Sequence, residues 1–400
     1  MPAALKAVAG LFLLALVFIV AAILGGGGGG NATTEAPAPV LAGGNGPQTA
    51  SSTPASELGY PQFATANTTR VGGADPASTA AGVALATYPS TVPAQRPAAV
   101  ALVDAADWRG AIAAAVLMAV PVRAPVLISE AAGLPDATAE ALEALDPQGD
   151  DATKGTQVFA FGAAAAPADR RTKSVKQTGI AAAAAIARLR DELAGAPPHH
   201  VVVAAAAEPA FAMPAAAWAA RSGDPILFSQ ADKLPAATAA ALRRHPHVPV
   251  YVLGPSATVS SGVVREIGKI AGNVRRVSGE DPVASSIALA RYSSGGFGWN
   301  VNDPGHGFVV ANPADPLDAA AAAALSASGT WGPLLLTDSA DTLPDALRSY
   351  LLDVKPGYTT DPTRAFYNHV WVIGDEEKID VNQQAEIDEL AELAKIGGEP

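Results

Sequence analysis

A short apolar phrase that opens with proline and closes with serine or threonine occurs three times in this 400-residue chain. The copies read PVLIS at 125–129, PILFS at 225–229 and PLLLT at 333–337, so they lie 100 and 108 residues apart. Each copy is followed by a Leu-Pro pair and then by a strand-like segment that ends in glycine: VFAFG at 158–162, VYVLG at 250–254 and VWVIG at 370–374. Recurrence on this scale predicts one architectural unit that is copied three times.

Short apolar segments alternate with alanine-rich segments inside each copy. Apolar strands are predicted at 99–103, 201–205 and 308–311, and each precedes a small-residue helix, at 110–120, 213–221 and 317–326. Wholly apolar strands that alternate with helices are typical of parallel sheets buried on both faces. The sequence therefore predicts an α/β fold of three tandem Rossmann-like, doubly wound modules, at 67–171, 172–275 and 276–400.

The first 66 residues differ from the rest. A single charge at Lys6 precedes an apolar run at 8–24, whose 17 residues lie between a signal-peptide core and a bilayer-spanning helix. We interpret residues 1–24 as an uncleaved signal-anchor, with a cleaved signal peptide as the alternative, and 25–66 as a flexible Gly/Ala/Pro/Ser-rich linker. Both interpretations predict an extracytoplasmic protein that is either anchored to the membrane through this N-terminal helix or secreted.

Composition and missing motifs exclude several function classes. The net charge of −12 argues against nucleic acid as a partner, and the lack of cysteine excludes disulfides and thiolate metal sites. His245 and His247 form a close histidine pair with no third ligand nearby, so no metal site is expected. Neither a G-x-S-x-G elbow nor a phosphate-binding P-loop occurs. We therefore expect neither catalysis nor a cofactor.

At these repeated residues the chain resembles the cell-wall-binding repeat 2 family, found on the surface of Gram-positive and related bacteria. The resemblance covers residues 67–392 and is carried by PILFS, VYVLG and the segment 276–279 of sequence RVSG, with Leu317-Asp318-Ala319 and PLLLT in the third copy. It implies three modules with pseudo-threefold symmetry, which hold anionic cell-wall polymers non-covalently. A cell wall-associated, polysaccharide-binding protein is thus the primary hypothesis.

The chain also departs from the family pattern. The family usually has a basic-aromatic pair where this chain has Asp-Pro at 75–76 and 281–282. The family's helix Asp is kept as Asp318 but aligns with Gly110 and Phe211 in the other copies. These departures keep open a first alternative, in which the repeats are a degenerate scaffold for protein partners at the cell surface.

Binding an anionic polymer needs cationic side chains in the grooves between modules, where guanidinium groups can pair with phosphate or carboxylate. The candidates near the repeat junctions are Arg70, Lys173, Lys176, Arg275, Arg276 and Arg291. Asp318 is a further candidate because ligands of open α/β sheets bind at the carboxyl edge, and Trp299 is a candidate for stacking on a sugar ring. The alternatives are ordinary solvated charges for the cations, a cap or structural hydrogen bond for Asp318, and a core anchor for Trp299.

A second alternative is a solute-binding protein or an enzyme that uses the carboxyl edge of one sheet. A deep polar cleft with converging titratable side chains would favour it, whereas a filled, apolar module junction would oppose it. The primary prediction remains a non-catalytic envelope protein that binds an anionic polymer.

Overall fold

The computed structural model describes residues 63–329 and 331–397. The predicted N-terminal membrane helix or signal peptide and most of the predicted linker lie outside the described residues. Within the described part of the chain, no helix combines the length and the apolar character needed to cross a bilayer.

The described residues form fifteen strands, most of them short and apolar. In chain order they are β1 (Phe63–Ala64), β2 (Thr68–Val71), β3 (Val100–Asp104), β4 (Val126–Ser129), β5 (Val158–Phe161), β6 (Thr172–Val175), β7 (Val201–Ala205), β8 (Ile226–Ser229), β9 (Val250–Leu253), β10 (Val274–Val277), β11 (Gly307–Ala311), β12 (Trp331–Leu336), β13 (Gly357–Tyr358), β14 (His369–Ile373) and β15 (Ala394–Lys395).

Eleven α-helices alternate with these strands in the described residues. They are α1 (Pro76–Thr87), α2 (Trp108–Ala114), α3 (Asp136–Leu145), α4 (Gly179–Ala194), α5 (Pro209–Ser222), α6 (Ala236–Arg243), α7 (Ser261–Ala271), α8 (Pro282–Arg291), α9 (Leu317–Ala322), α10 (Asp345–Asp353) and α11 (Val381–Ala391). Four 3-10 turns lie at Pro93–Gln95, Ala115–Met118, Ala323–Ser326 and Pro362–Arg364.

The strands form three separate main sheets, and each has the same order of strands. The first sheet is β4-β3-β5-β6, the second is β8-β7-β9-β10, and the third is β12-β11-β14-β2 with the short β1 at its edge. All pairs are parallel except β1 with β2, and a further parallel pair joins β13 to β15. The predicted α/β fold with several parallel-sheet modules is confirmed.

The fourth strand of each sheet has a different origin in the chain. In the first two sheets it directly follows the third strand, as β6 and β10. In the third sheet the place is taken by β2, which pairs with β14 in the register Thr68 to Val370. Strand β6 belongs to the first sheet although its residues open the predicted second module, and the module boundaries themselves stay a prediction.

The repeated Leu-Pro pair has a local structural role. Pro135 and Pro235 are the N-cap residues of α3 and α6. Three residues later, Thr138 and Thr238 are fully buried, and each hydroxyl donates a 2.5 Å hydrogen bond to a carbonyl of the preceding strand. In the third copy Leu347 takes this position and is also fully buried. The pair thus starts a helix whose first turn packs directly onto its strand.

Alanine fills the centre where the three units meet. Helices α2, α5 and α9 follow β3, β7 and β11, and all three contact one another. Their alanines at 111, 113, 114, 212, 215–217, 219, 220 and 319–322 are each at most 1% exposed. Small side chains let helices approach closely, and this explains the high alanine content. One apolar core cluster runs through all three units.

Candidate functional site

Arg70 is a buried structural brace. It is 3% exposed, and its Nε donates to Gln384 Oε1 at 3.0 Å. The two terminal nitrogens donate to three backbone carbonyls, at Gly374 (3.0 Å), Asp375 (2.7 Å) and Ile379 (2.6 Å). Burial lowers the pKa of this guanidinium, while neighbouring carboxylates oppose that shift. Its hydrogen-bonding capacity is directed into the fold, so the candidate assignment to polymer binding gives way to a structural one.

Arg276 makes the same kind of brace in the second sheet. Its terminal nitrogens donate to the carbonyls of Gly254 and, at 2.6 Å, Val259. Gly254 and Gly374 are the glycines that end the repeated VYVLG and VWVIG phrases, and both have a positive φ, near +94° and +91°, that favours glycine. The register of β10 and β6 puts Ser174 at the corresponding position of the first sheet, which therefore lacks a brace.

Lys173 and Arg275 occupy one register position in their respective sheets, opposite Phe159 and Tyr251. Lys173 pairs with Glu192 at 3.2 Å, and Arg275 donates to the hydroxyl of Ser294. Both side chains are on edge strands, and Arg275 is exposed. The structure does not bring them together, because they belong to different sheets, but it does connect Arg275 to the loop that carries Trp299.

The two other cationic candidates have contrasting surroundings. Lys176, just after β6, is exposed and forms none of the ion pairs found among the described residues. Arg291 pairs with Asp353, and its guanidinium lies 4.7 Å above the ring of Tyr350. Arg291 therefore joins α8 to α10, while Lys176 stays available to a ligand.

Asp318 forms a buried ion pair. It is fully buried in the first turn of α9, and Lys378 Nζ lies 2.6 Å from its Oδ2 and 3.5 Å from Asp315 Oδ2. Thr79 of α1 faces the same carboxylate. Burial raises the pKa of Asp318 to about 6, despite the opposing charge of Lys378. Arg70 and Asp318 both contact the segment 374–379, so this edge of the third sheet is held by polar contacts.

This raised pKa predicts a pH dependence of stability. Between about pH 4 and 6 the folded chain holds the Asp318 proton while the unfolded chain, with an ordinary pKa of 3.8, has lost it. The free energy of unfolding then falls as the pH rises through this window, by roughly 2–3 kcal/mol from this group. We expect Asp318→Asn to lack that contribution when urea unfolding is measured at pH 4, 5, 6 and 7. The exposed Asp136→Asn is the control, and identical pH profiles for Asp318→Asn and the parent would contradict the assignment.

Arg109 reaches across a junction between units. It extends from α2 to the second unit, where its Nε donates to the carbonyl of Ala206 at 2.7 Å, and its guanidinium lies 4.4 Å above the ring of Trp108. It borders a hollow of about 410 Å³, which we name the first groove and which is lined by Arg109, Gly179, Ile180, Ala206, Ala207, Gln230 and Ala231. Because Ala206 and Gln230 follow β7 and β8, this groove lies at the carboxyl edge of the second sheet.

The corresponding positions at the other junctions are apolar. Arg109 is the second residue after Asp107, and the second residues after Glu208 and Asp315 are Ala210 and Leu317. Among the described residues, Nε is the one nitrogen of Arg109 with a protein acceptor. The first groove thus combines a cation with open space.

A second hollow, of about 670 Å³, lies at the opposite edge of the second sheet. We name it the aromatic hollow; its lining is His199, His200, Trp218, Arg221, Ser222, Asp224, Pro249, Gly295, Gly296, Gly298 and Trp299. Trp299 is half-buried, and its ring meets that of Trp218 edge to face at 5.5 Å between centroids. Trp299 therefore both packs against the fold and borders open space, and its stacking on a sugar ring stays a prediction.

Sequence reasoning missed the polar groups that shape these hollows. Asp107-Trp108-Arg109, a polar and aromatic run just beyond an apolar strand, was a usable signal for the first groove. His200 and Asp224, which bond to each other at the aromatic hollow, are separated by 24 residues and gave none. No cluster of three or more potential metal ligands occurs in the described part of the chain.

Comparisons with protein families and with solved structures show what this chain is similar to. The sequence profile of cell wall binding domain 2 (CWB2) matches residues 177–264 and 276–383. Among solved structures, Cwp6 from Clostridium difficile has a TM-score of 0.60 at 18% identity, covering 82% of this chain and 48% of that one. Cwp8 from Clostridium difficile has a TM-score of 0.56 at 17% identity, covering 82% and 52%. The chain thus spans about half the length of these two structures, and no curated protein matches it.

Parallel-sheet units copied along one chain and packed through alanine-rich helices define a repeat protein of the α/β class. This chain belongs to the cell wall binding domain 2 family.

Proposed function

We propose that this protein attaches non-covalently to the bacterial cell wall by binding an anionic wall polymer, and that it does so without catalysis. The observation that carries the proposal is the family match, which extends over two units in tandem. The pseudo-threefold arrangement of the three modules is part of the proposal. It is supported by the identical strand order of the sheets and by the mutual packing of α2, α5 and α9.

The first groove is the best place for a polymer to bind. Arg109 offers its free terminal nitrogens there, and Lys176 is exposed three residues before Gly179, which lines the same groove. A guanidinium beside a shallow hollow suits the phosphate or carboxylate groups of a chain molecule better than a compact solute. Lys173 and Arg275 on their edge strands are further contacts in this proposal.

The centre of the molecule opposes the alternative of an enzyme or a solute-binding protein. Its helices meet through alanine side chains that are at most 1% exposed, so no cleft enters between the units there. At the carboxyl edge of the third sheet, the buried ionisable groups Arg70 and Asp318 are engaged with the fold itself. A surface-binding role agrees with both observations.

The location follows from the same proposal. A wall-binding protein acts outside the cytoplasmic membrane, and the apolar run at 8–24 would supply either an anchor in that membrane or an export signal. Anchoring through this run remains a proposal that rests on the sequence.

The test is co-sedimentation of the protein with cell walls from the producing bacterium, before and after their anionic polymers are stripped. We expect binding to intact walls, loss of binding after stripping, and weaker binding at high salt, because salt screens exposed charges. Arg109→Gln should weaken sedimentation by roughly fivefold to tenfold, as expected for one charged hydrogen-bonding contact. Arg265→Gln, an exposed arginine of α7 outside both hollows, is the matched control. Equal binding to stripped and intact walls would contradict polymer recognition.

One observation favours the scaffold alternative as a second candidate. Phe366 and Tyr367 are 70% and 56% exposed on the segment between α10 and β14. Adjacent exposed aromatic side chains are typical of protein interaction surfaces. If neither wall preparation binds, the search turns to a protein partner for this segment.

A further inference from the structure

The aromatic hollow is assembled from two parts of the chain. His200 immediately precedes β7, Pro249 precedes β9, and Asp224 lies two residues before β8, so these residues form the amino edge of the second sheet. The opposite wall is the loop that follows α8 and carries Gly295, Gly296, Gly298 and Trp299. Its volume of about 670 Å³ is in the range, roughly 300–1,000 Å³, of sites for small molecules.

The loop is fixed by aromatic packing. Phe297 is 1% exposed and stacks on Tyr251, with ring centroids 3.8 Å apart and an angle of 5° between the rings. The hydroxyl of Tyr251 donates to the carbonyl of Ser294 at 2.9 Å. Gly298 has a φ of +95°, and a Cβ there would lie 2.2 Å from the carbonyl oxygen of Tyr292. The loop is therefore fixed as one wall of the aromatic hollow, and it has glycine at a position where a side chain would collide with the backbone.

A buried carboxylate at the aromatic hollow, that of Asp224, is paired with a histidine. Asp224 is fully buried and accepts hydrogen bonds from the His200 backbone N–H (2.9 Å), His200 Nδ1 (3.0 Å) and Trp218 Nε1 (3.0 Å). His200 Nε2 lies 3.0 Å from the carbonyl oxygen of Gly295, so both ring nitrogens face acceptors, and this arrangement favours the protonated ring. Burial lowers the pKa of His200, but Asp224 and Gly295 more than offset this and leave it raised. Protonation of His200 offsets the negative charge of Asp224.

Arg221 then sets the charge of the hollow. It is exposed at the end of α5 and forms none of the ion pairs found among the described residues. His199, which is also exposed, belongs to the same lining. Because Asp224 is paired with His200, the guanidinium of Arg221 is the charge in this lining that remains open to a ligand. The hollow therefore presents a cation beside aromatic surface.

We infer that the aromatic hollow binds a sugar ring that carries a carboxylate or phosphate group, with Trp299 stacking on the ring and Arg221 pairing with the anionic group. The C–H face of a sugar ring is apolar and packs on an indole, while its hydroxyls remain free to hydrogen-bond to backbone groups. A guanidinium pairs with carboxylate or phosphate through parallel hydrogen bonds. This inference rests on the proposed function, since it takes the ring to be one unit of the anionic wall polymer.

The test is calorimetric titration of the full chain at low salt with three probes: glucuronate, glucose 1-phosphate and glucose. We expect the two anionic sugars to bind roughly tenfold more tightly than glucose, as one charged hydrogen-bonding contact provides. Arg221→Gln should reduce the affinity for both anionic sugars to that for glucose. Arg265→Gln should leave the affinities for all three sugars unchanged. A preference for only one of the anionic sugars would identify the group that Arg221 recognises and would still support the inference.

Trp299→Leu tests the stacking contact separately. This substitution should weaken the binding of all three sugars to a similar extent, whereas Arg221→Gln should weaken only the binding of the two charged sugars. Equal affinity of the parent chain for glucose and glucuronate, or unchanged binding in Arg221→Gln, would overturn the inference. Arg221 is exposed, so its variant tests recognition without testing folding. If sugars fail to bind while walls still sediment the protein, the proposed function stands and the aromatic hollow is not its site.

Discussion

A chain that begins at Ala74 is expected to lose at least about 5 kcal/mol of folding stability relative to one that begins at Phe63. The shorter chain lacks both β1 and β2, and all four residues of β2 are buried. Its loss uncovers the third strand of the third sheet, β14, along the whole parallel register from Val370 to Ile373. Unpaired backbone groups on an apolar edge are costly in the fold and bind other strands.

The flanking contacts add to this effect. The backbone N–H of Asn67 donates to Asp388 at 2.7 Å, and Gln384 Nε2 donates to the hydroxyl of Thr68 at 2.9 Å, so α11 also loses its partners. The chain that begins at Ala74 still keeps Asp75, which caps α1 by accepting from the N–H of Ser78. The truncation therefore removes the strand while leaving the helix start intact.

Urea unfolding of the two chains measures the loss, and sedimentation velocity measures association through the exposed edge. A synthetic peptide of residues 63–73 should restore stability to the shorter chain, whereas a scrambled peptide of equal composition should not. Equal unfolding midpoints for the two chains would show that β2 is dispensable and would contradict the role given to it here.

The second large effect is expected from the arginine braces. Arg70→Leu should cost about 4 kcal/mol, because it leaves three backbone carbonyls and the Gln384 amide without their donor in a buried site. Arg276→Leu should cost about 2 kcal/mol, since this half-buried guanidinium has two carbonyl acceptors. Ser174→Ala, at the corresponding exposed position of the first sheet, should change stability by less than about 0.5 kcal/mol.

The three substitutions form an internal series, because register relates their positions across the three sheets. Urea unfolding followed by circular dichroism ranks them directly. If Arg70→Leu instead left stability unchanged and abolished wall sedimentation, Arg70 would be a polymer contact after all. Equal costs for Arg70→Leu and Ser174→Ala would also refute the brace.

Repetition made the architecture predictable from the sequence. The PVLIS, PILFS and PLLLT phrases overlap β4, β8 and β12, and the glycine-ended phrases overlap β5, β9 and β14. Local rules suffice for these elements, because an apolar run between breakers depends on its immediate neighbours. The strand β2 was not foreseen in the third sheet, since its partner lies some 300 residues further along the chain.

The site was harder to predict than the fold, for a related reason. An arginine can be a brace or a ligand contact, and the choice depends on which carbonyls surround it. For Arg70 these belong to residues 374–379, and nothing in the residues next to Arg70 indicates them. The same applies to Asp318 and Lys378, whose attraction is visible only once α9 and the end of the third sheet are side by side.

The pairing of β2 with β14 also fixes the order of events during synthesis. At about 5–20 residues per second, roughly 15–60 s separate the appearance of Thr68 from that of its partner Val370. The first two sheets have all their strands within contiguous stretches and can form during that interval, before β14 is available to pair with β2. The entropic cost of bringing together two strands some 300 residues apart falls once the intervening units have folded, because folding shortens the distance between the strands. A strand near the start of the described chain is therefore among the last to pair with its sheet.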